Sequence, residues 1–188
     1  MNSITIHIKN VVCQRCISTI QKILEDKEIP YSQVTLGEAH LNRPLNEIEK
    51  SEIRAEFAKV GFEFLESREE QIINHIKSVI INEVYNKNAS NKKLSEILSE
   101  QVNYDYSHIT HIFTEHEQQS IQKFYNAVKI ERAKELLEYD DYSISMIADE
   151  LGYSTAAYLS TSFRKATGKT PSEYKKMKKK TRINLDSV

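Results

Sequence analysis

With 188 residues, the chain is long enough for one ordinary domain or for two small ones. Its composition is 39% hydrophobic and 28% charged, with four glycines and three prolines, which is typical of a folded, helix-rich protein and argues against extensive disorder. The net charge is −1, but nine basic residues and the single acid Glu173 lie between Arg164 and Arg182, so positive charge is concentrated near the C-terminal end.

No apolar run approaches the roughly 18 residues that a membrane-spanning helix needs. The first ten residues, MNSITIHIKN, lack the basic start and apolar centre of a signal peptide. We therefore expect a cytoplasmic protein without a membrane partner. The two cysteines, Cys13 and Cys16, lie close together and form no disulfide framework, so in a reducing compartment they point to metal or redox chemistry if they have a role.

The first 67 residues alternate between strand and helix patterns. Ile4, Ile6 and Ile8 follow the period of two of a half-buried strand, and the apolar residues from Ile17 to Leu24 follow helical spacing. A hairpin around Gly37, a helix over 47–60 and a strand over 62–65 come next; the inner face of that helix is predicted to be Ile48, Ile53, Phe57 and Val60. This order predicts an α+β domain of the ferredoxin-like βαββαβ type over residues 1–67.

Every segment after residue 68 has a helical pattern, which predicts an all-α domain over residues 68–180 and a tail over 181–188. The first helix carries a wide apolar stripe. Such a stripe fits either a homodimer seam or a core for the helices that follow, and the core is the more common arrangement. The stripe consists of Ile72, Ile73, Ile76, Val79, Ile80 and Val84.

A weak internal repeat is the most informative feature of the helical part. The segment 98–104 pairs with 147–153, each being a short amphipathic helix that runs into a turn, and Phe113 pairs with Phe163. The offset is 49 residues at Tyr104 and Tyr153 and 50 at the phenylalanines, so the second turn has one extra residue. A short helix, a tight turn and a second helix are the parts of a helix-turn-helix.

The turn residues support that interpretation. Asp105 and Ser154 stand where an N-cap belongs, and Gly152 suits the turn because it tolerates positive φ. A long amphipathic helix over 121–137 separates the two units and would hold them at a fixed distance. Two units held in this way could enter successive major grooves, which recur about every 34 Å on one face of DNA.

The segments 145–154 (SMIADELGYS) and 158–174 (YLSTSFRKATGKTPSEY) resemble the AraC/XylS transcription regulators. The resemblance rests on the Ile-Ala pair, the Gly-Tyr turn, the Phe-Lys spacing and the Gly-x-Thr-Pro-x-x-Tyr ending. It implies two helix-turn-helix units, with recognition helices over 106–115 and 155–167, that insert into double-stranded DNA. Asn103, Gln118 and Ile121 depart from the pattern, because the second unit has Gly152, Gly168 and Pro171 at the matching positions.

The resemblance also implies roles for single residues. The buried side of the recognition helices would be formed by Ile109, Phe113, Leu159 and Phe163. The candidates for contacts with base edges are Ser107, Thr110, His111, Thr155, Ala156, Ala157, Ser160 and Thr161. These side chains offer no strong bidentate contact, so DNA shape would contribute to specificity. The candidates for phosphate contacts are Arg164, Lys165, Lys169, Lys175 and Lys176.

The front domain resembles the heavy-metal-associated domain of copper and zinc chaperones, in which a CxxC lies between the first strand and the first helix. Cys13 and Cys16 match that placement, although Asn10-Val11 replaces the Gly-Met of that family. Two thiolates favour Cu(I) or supply half of a Zn(II) site, and the helix N-terminus and Arg15 would lower their pKa values. Thiol redox sensing and a purely structural role remain alternatives. His7 and His40 are further candidate ligands, but single histidines on strands are more often structural.

The leading hypothesis is a DNA-binding transcription regulator whose front domain senses a metal or a redox change and which acts on the transcription machinery. The alternative is a metal chaperone or thiol redox carrier with a helical tail that docks on a protein partner. We expect no enzyme, because the chain shows no combination of nucleophile and base, no phosphate-binding glycine loop and no pair of catalytic carboxylates.

Overall fold

The computed structural model describes residues 4–86, 92–139, 141–177, 182 and 185. These residues form a small sheet near the N-terminal end and helices over the rest of the chain. In chain order the elements are β1 (Ile4–Lys9), α1 (Gln14–Asp26), β2 (Tyr31–Thr35), β3 (Glu38–Leu41), α2 (Glu47–Lys59), β4 (Glu63–Phe64), α3 (Arg68–Tyr85), α4 (Leu94–Val102), α5 (Tyr106–Glu117), α6 (Ile121–Leu136), α7 (Ile144–Glu150), α8 (Ala156–Thr167) and α9 (Pro171–Lys175).

The four strands form one antiparallel sheet in the order β2-β3-β1-β4. In the register of β1 and β3, Thr5 lies opposite His40 and His7 lies opposite Glu38. Because side chains alternate between the faces of a strand, these four polar residues share one face of the sheet, and Ile8 points to the other.

The face that carries Ile8 packs against α1 and α2. Ile20 and Leu24 of α1 and Ile53 and Phe57 of α2 are fully buried in the same apolar cluster as Ile8. Their spacing of four residues within each helix places both side chains of a pair on the same face.

The predicted inner face of α2 was wrong at both of its ends. Ile48 is 73% exposed and Val60 is 49% exposed. Ile48 lies about 140° around the helix from Ile53, since each residue turns an α-helix by about 100°. Val60 is the C-cap and lies beyond the last turn. The N-cap Asn46 fixes where the helix begins.

The chain forms two compact units, Met1–Val79 with Ser95–Ile112, and Ile80–Leu94 with Phe113–Val188. The first unit contains the sheet, α1, α2, α4 without its first residue Leu94, and most of α3 and α5. The second contains the ends of α3 and α5 and all of α6 to α9. The boundary between residues 67 and 68 that the sequence suggests remains a prediction.

The apolar stripe of α3 is buried within the single chain except at Ile72, which is half-buried. Ile76 and Ile80 are 0% exposed, and Ile73, Val79 and Val84 are at most 7% exposed. This burial is what the core interpretation of the stripe requires. Among the helices in the described part of the chain, none is long and apolar enough to cross a membrane.

Candidate nucleic-acid interface

The second helix-turn-helix unit consists of α7, a turn and α8. Ser143 caps α7, because its hydroxyl accepts a hydrogen bond from the Met146 amide at 3.2 Å. Gly152 sits in the turn with a φ of 64°, a left-handed conformation that glycine adopts without strain. The chain then enters α8 through Thr155, whose hydroxyl accepts from the Tyr158 amide at 3.1 Å.

The N-cap of α8 is therefore Thr155, and the prediction of Ser154 at that position was wrong. The first unit explains the difference. Asp105 lies directly before α5, and its carbonyl accepts from the Ile109 amide at 3.0 Å. Asp105 is 50 residues before Thr155, so Ser154 is the one extra residue of the second turn.

The inner side of α8 packs against α9. Leu159 and Phe163 are at most 1% exposed, and the Phe163 ring meets the Tyr174 ring edge-on at 5.5 Å between centroids. Thr170 caps α9 in a capping box with Glu173. The hydrogen bonds from the Thr170 backbone and hydroxyl lower the pKa of Glu173.

The first unit repeats this geometry with different residues. Asn103 has a φ of 58° and Gln118 a φ of 53°, so both adopt the left-handed conformation of the matching Gly152 and Gly168. Asn tolerates this conformation better than most residues do. At these two positions the first unit therefore has a different residue type but the same backbone conformation as the second unit.

The ring contacts of the two units also correspond. Phe113 meets Phe124 at 5.7 Å between centroids, as Phe163 meets Tyr174. Ser120 caps the helix that follows the first unit, as Thr170 does after the second. The repeat seen in the sequence is therefore a repeat of backbone turns, caps and core contacts.

The candidates for base-edge contacts lie on the outer sides of α5 and α8. The exposed candidates are Ser107, His111, Thr155, Ala157 and Thr161, and the half-buried ones are Thr110, Ala156 and Ser160. The residues predicted to face inward, Ile109, Phe113, Leu159 and Phe163, are at most 1% exposed. Whether the outer residues contact bases remains a prediction.

Three hydroxyls on these faces, those of Thr110, Ser160 and Thr161, already donate their hydrogen atoms. Thr161 donates to the Ala157 carbonyl at 3.0 Å, Ser160 to the Ala156 carbonyl at 2.8 Å, and Thr110 to that of Tyr106 at 2.8 Å. A hydroxyl held in this way still offers lone pairs. In this arrangement these side chains can accept a hydrogen bond, as from the amino group of adenine or cytosine, more readily than they can donate one.

The candidates for phosphate contacts differ in their surroundings. Arg164, Lys165, Lys169 and Lys176 are exposed. Lys175 is half-buried, and its ammonium donates to the carbonyls of Tyr139 and Tyr142 at 3.4 Å. Lys175 thus connects α9 by hydrogen bonds to Tyr139 and Tyr142, which precede α7. The sequence did not suggest this role. Residues 178–180 of the lysine run lie outside the described residues.

Sequence reasoning missed two residues near the second turn. Tyr158 is 59% exposed on α8, and its ring meets that of Tyr153 at 5.8 Å. The Lys129 ammonium lies over the rings of Tyr125 and Tyr153, 4.5 and 5.1 Å from their centroids. Burial lowers the pKa of Lys129, although Glu83 opposes this effect. Tyr158 could have been found as a large aromatic residue among the small residues of α8. The contact of Lys129 with Tyr153 could not, because it joins residues that are distant in the sequence.

The two cysteines lie at the start of α1 in the sheet-containing unit. Cys13 is the N-cap of that helix, and its Sγ is 3.4 Å from Sγ of Cys16. Burial raises the pKa of Cys13, but hydrogen bonds from Cys16 and Arg15 outweigh this effect and leave it below its usual value. Burial and the hydrogen bond with Cys13 raise the pKa of Cys16. The two thiols therefore differ: the pKa of Cys13 is below its usual value and that of Cys16 is above it.

His7 on β1 lies opposite Glu38 of β3, and His40 is two residues further along β3 on the same face, so both histidines face Glu38. Their ring nitrogens are 3.5 and 3.7 Å from its carboxylate oxygens. Within the residues that the structure describes, no three His, Cys, Asp or Glu side chains are placed to hold a metal ion. The structure thus groups these histidines with a carboxylate, and among the described residues it places no third ligand beside the two thiols.

Comparison with known proteins agrees with the geometry of the repeat. Residues 98–177 match the family model described as a helix-turn-helix domain. The C-terminal helices form a helix-turn-helix domain. An uncharacterised HTH-type transcriptional regulator of Staphylococcus aureus is 42% identical over 82 residues, which are 44% of this chain and 11% of that protein. The chain thus spans about a tenth of the length of that relative.

Other similar proteins are shorter. The Msm operon regulatory protein of Streptococcus mutans is 26% identical over 121 residues, which cover 64% of this chain and 42% of that protein. The C-terminal domain of AraT, a response regulator from Geobacillus stearothermophilus, is 26% identical with a TM-score of 0.51, covering 62% of this chain and 91% of that domain.

The fold is also that of a transcriptional regulator from Chromobacterium violaceum described as having an AraC-type DNA-binding domain. Its TM-score is 0.50 at 18% identity, over 58% of this chain and 96% of that one. The helix-turn-helix prediction is thus confirmed for the C-terminal helices, and membership of the AraC/XylS family remains a prediction. The heavy-metal-associated resemblance of the front residues remains a prediction.

Proposed function

We propose that this chain is a transcription regulator that binds double-stranded DNA through the outer faces of α5 and α8. The observation that carries the proposal is the face of α8 in a confirmed helix-turn-helix domain. There, small and hydroxyl side chains from Thr155 to Thr161 are followed by the exposed cations Arg164 and Lys165. Small side chains let a helix approach base edges, and cations beside them bind phosphates.

The regulator relatives support the same function, since the Staphylococcus and Streptococcus proteins are named as regulators of transcription or of an operon. We propose the AraC arrangement, in which α5 and α8 enter successive major grooves and the chain then acts on the transcription machinery, alone or as a homodimer. The left-handed backbone conformation that Asn103 and Gly152 share supports DNA binding by both helix-turn-helix units and not by the second alone.

Salt-dependent binding to DNA from upstream of the gene tests this proposal. Fluorescence anisotropy should give an affinity that falls with rising salt, and footprinting should show protection on both units' half-sites. Because Thr161 is exposed, Thr161→Glu should keep the helix and weaken binding at least about tenfold by placing a carboxylate against DNA. Equal affinity of Thr161→Glu and the wild type would contradict the proposal.

A matched control exists on α1. Ser18 is exposed and donates its hydroxyl to the carbonyl of Gln14, four residues earlier, as Thr161 does to Ala157. Ser18→Glu adds the same charge at an equivalent helical position outside the helix-turn-helix domain, so its DNA affinity should stay within about twofold of the wild type. Replacing Arg164 and Lys165 by alanine should weaken binding to all sequences and reduce the salt slope by about one per lost phosphate contact.

We further propose that the front residues form a ferredoxin-like domain of the heavy-metal-associated type and that Cys13 and Cys16 are its sensing site. The strand order β2-β3-β1-β4 and the position of Cys13 at the start of α1 support this proposal. Asn10 supports it as well, because its φ of 70° is a conformation that the family's glycine adopts freely.

The cysteine pair fits two kinds of signal. Two sulfurs 3.4 Å apart can bind Cu(I) or provide two of the four ligands that Zn(II) takes, and they can also oxidise to a disulfide. Competition titrations of the full chain with Cu(I) and Zn(II), and thiol counting after peroxide treatment, separate these signals. The Cys13→Ser, Cys16→Ser protein should lose the response and keep its DNA affinity in the absence of metal. Unchanged regulation would exclude a sensing role.

The alternative, a metal chaperone or thiol carrier, makes a different prediction. Metal would pass from Cys13 and Cys16 to a protein partner, and the helical part would bind that partner and not DNA. Absence of any salt-sensitive DNA binding together with metal transfer would favour this alternative over the regulator.

A further inference from the structure

At the face of the sheet opposite its apolar core, two histidines of the sheet and one of α3 surround one carboxylate. His7 on β1 and His75 on α3 each place Nδ1 at 3.5 Å from Oε1 of Glu38, and His40 on β3 places Nε2 at 3.7 Å from Oε2. All four side chains are between 20% and 34% exposed. Each ring therefore competes for the same partly shielded negative charge.

Hydrogen bonds fix the orientation of two of these rings. His40 shares a hydrogen bond of 2.9 Å between its Nδ1 and the Thr5 hydroxyl. His75 donates through Nε2 to the carbonyl of Gln101 at 3.1 Å, since a carbonyl can only accept. Its other nitrogen faces the Glu38 carboxylate, so the positively charged form of His75 supplies an N–H to both acceptors.

His7 differs from these two histidines in its hydrogen bonding. Its Nδ1 is buried and has no hydrogen-bond partner among the described residues. Burial lowers the pKa of His7; Glu38 raises it, and charge on His75 or His40 lowers it further. The charged groups that face His7 are thus Glu38 and His40 on β3 and His75 on α3.

The same face joins the sheet to α3 and α4. Asn74, next to His75, donates to the carbonyl of Ile8 at 3.2 Å, and His75 reaches Gln101 at the end of α4. The site contains a single carboxylate, so it can balance one positive imidazole. A second or third proton adds like charges that no group in the cluster compensates.

We propose that His7, His40, His75 and Glu38 form a proton-sensitive clasp that holds α3 to the sheet near neutral pH and loosens when acid protonates more than one imidazole. The proton is its ligand, because all three imidazoles face the single carboxylate of Glu38. This proposal is independent of DNA binding, although a loosened clasp would also release the α4 contact of the first helix-turn-helix unit.

The direction of the pH dependence follows from His7, whose pKa is lowered by partial burial. His7 takes up its proton at a lower pH in the folded chain than in the unfolded one, whose histidine pKa is about 6.5. As the pH falls through that value the unfolded form binds more protons, so stability is present above it and is lost below it. Each such imidazole changes the opening equilibrium by up to about tenfold per pH unit.

Hydrogen exchange of the full chain tests the clasp. Amides of β3 and of residues 72–79 should lose protection, corrected for intrinsic exchange, between about pH 7.5 and about pH 5.5, which bracket the ordinary histidine pKa. The His7→Gln, His40→Gln protein keeps one imidazole for one carboxylate, so its protection should change less than about twofold over that range. Unchanged wild-type protection, or equal losses in both proteins, would overturn the proposal.

Three further measurements test the same proposal. A His108→Gln, His116→Gln protein removes two exposed histidines of α5, and it should lose protection as the wild type does. If the double clasp variant fails to fold, an NMR titration of the wild-type imidazoles decides the question, with the pKa of His7 expected below the ordinary histidine value of about 6.5. Protection that responds to Zn(II) at constant pH and not to pH would also show the proposal to be wrong.

Discussion

The Asn74 amide of α3 occupies the space that a side chain on Gly37, in the turn between β2 and β3, would need. A Cβ on Gly37 would overlap Nδ2 of Asn74 and come within 2.9 Å of Oγ of Ser78. The Asn74 amide is held in place because it donates to the Ile8 carbonyl. Gly37 also has a φ of +85°, a conformation that an L side chain strains.

Gly37→Ala should therefore destabilise the chain by about 2–3 kcal/mol, with about 1–2 from the left-handed backbone and about 1 from the displaced Asn74 hydrogen bond. Gly61→Ala is a matched control, because Gly61 has a φ of +84° but nothing within 4 Å of its Cβ position. Urea unfolding should show a smaller loss for Gly61→Ala than for Gly37→Ala. Equal losses would mean that the contact with α3 contributes nothing.

The elements of this chain were largely predictable, because local periodicity determines them. The helix predicted over 47–60 is α2, and the left-handed turn predicted at Gly152 has a φ of 64°. What failed was the placement of Ile48 on the inner face, because Ile48 lies about 140° around the helix from Ile53. Contacts between distant segments were also out of reach: no pattern near His7 indicates that His75, 68 residues later, faces the same carboxylate.

The cap of α8 gives a second prediction. Thr155→Ala removes the hydroxyl that accepts from the Tyr158 amide and should cost about 1 kcal/mol, whereas Thr155→Ser retains the cap and should cost little. Ser154→Ala is the control, because Ser154 is exposed and is not the cap. Thermal unfolding of the three variants distinguishes the positions. A larger loss for Ser154→Ala than for Thr155→Ala would contradict the assignment.

The asymmetry of the cysteine pair gives a third prediction. Hydrogen bonds from Cys16 and Arg15 offset the burial of Cys13 and lower its pKa, so Cys13 should be alkylated by iodoacetamide before Cys16 at neutral pH. Cys16→Ala removes one of these donors and should slow the labelling of Cys13. Cys13→Ala removes a group that raises the pKa of Cys16 and should speed the labelling of Cys16. Peptide mass spectrometry against pH measures both rates, and equal reactivity in the wild type would exclude the asymmetry.

The Tyr153 hydroxyl gives a fourth prediction. It is buried and lacks a hydrogen-bond partner in the part of the chain that the structure describes. A hydroxyl buried in this way costs free energy, so Tyr153→Phe should leave the free energy of unfolding unchanged or raise it by up to about 1 kcal/mol. Tyr158→Phe, at an exposed position, is the control and should have little effect. A loss above about 1 kcal/mol for Tyr153→Phe would reveal a partner for the hydroxyl.

The same hydroxyl predicts how alkaline pH acts on the fold. Burial, and then charge on Tyr158 and Tyr125, raise the pKa of Tyr153 to about 12, and burial raises that of Tyr85 to about 12 as well. An unfolded tyrosine releases its proton near pH 10, so the unfolded form binds fewer protons between about pH 10 and about pH 12. Stability is therefore present below pH 10 and is lost over that interval. Tyr153→Phe should reduce this loss without abolishing it, because Tyr85 remains, and urea unfolding followed against pH measures the difference.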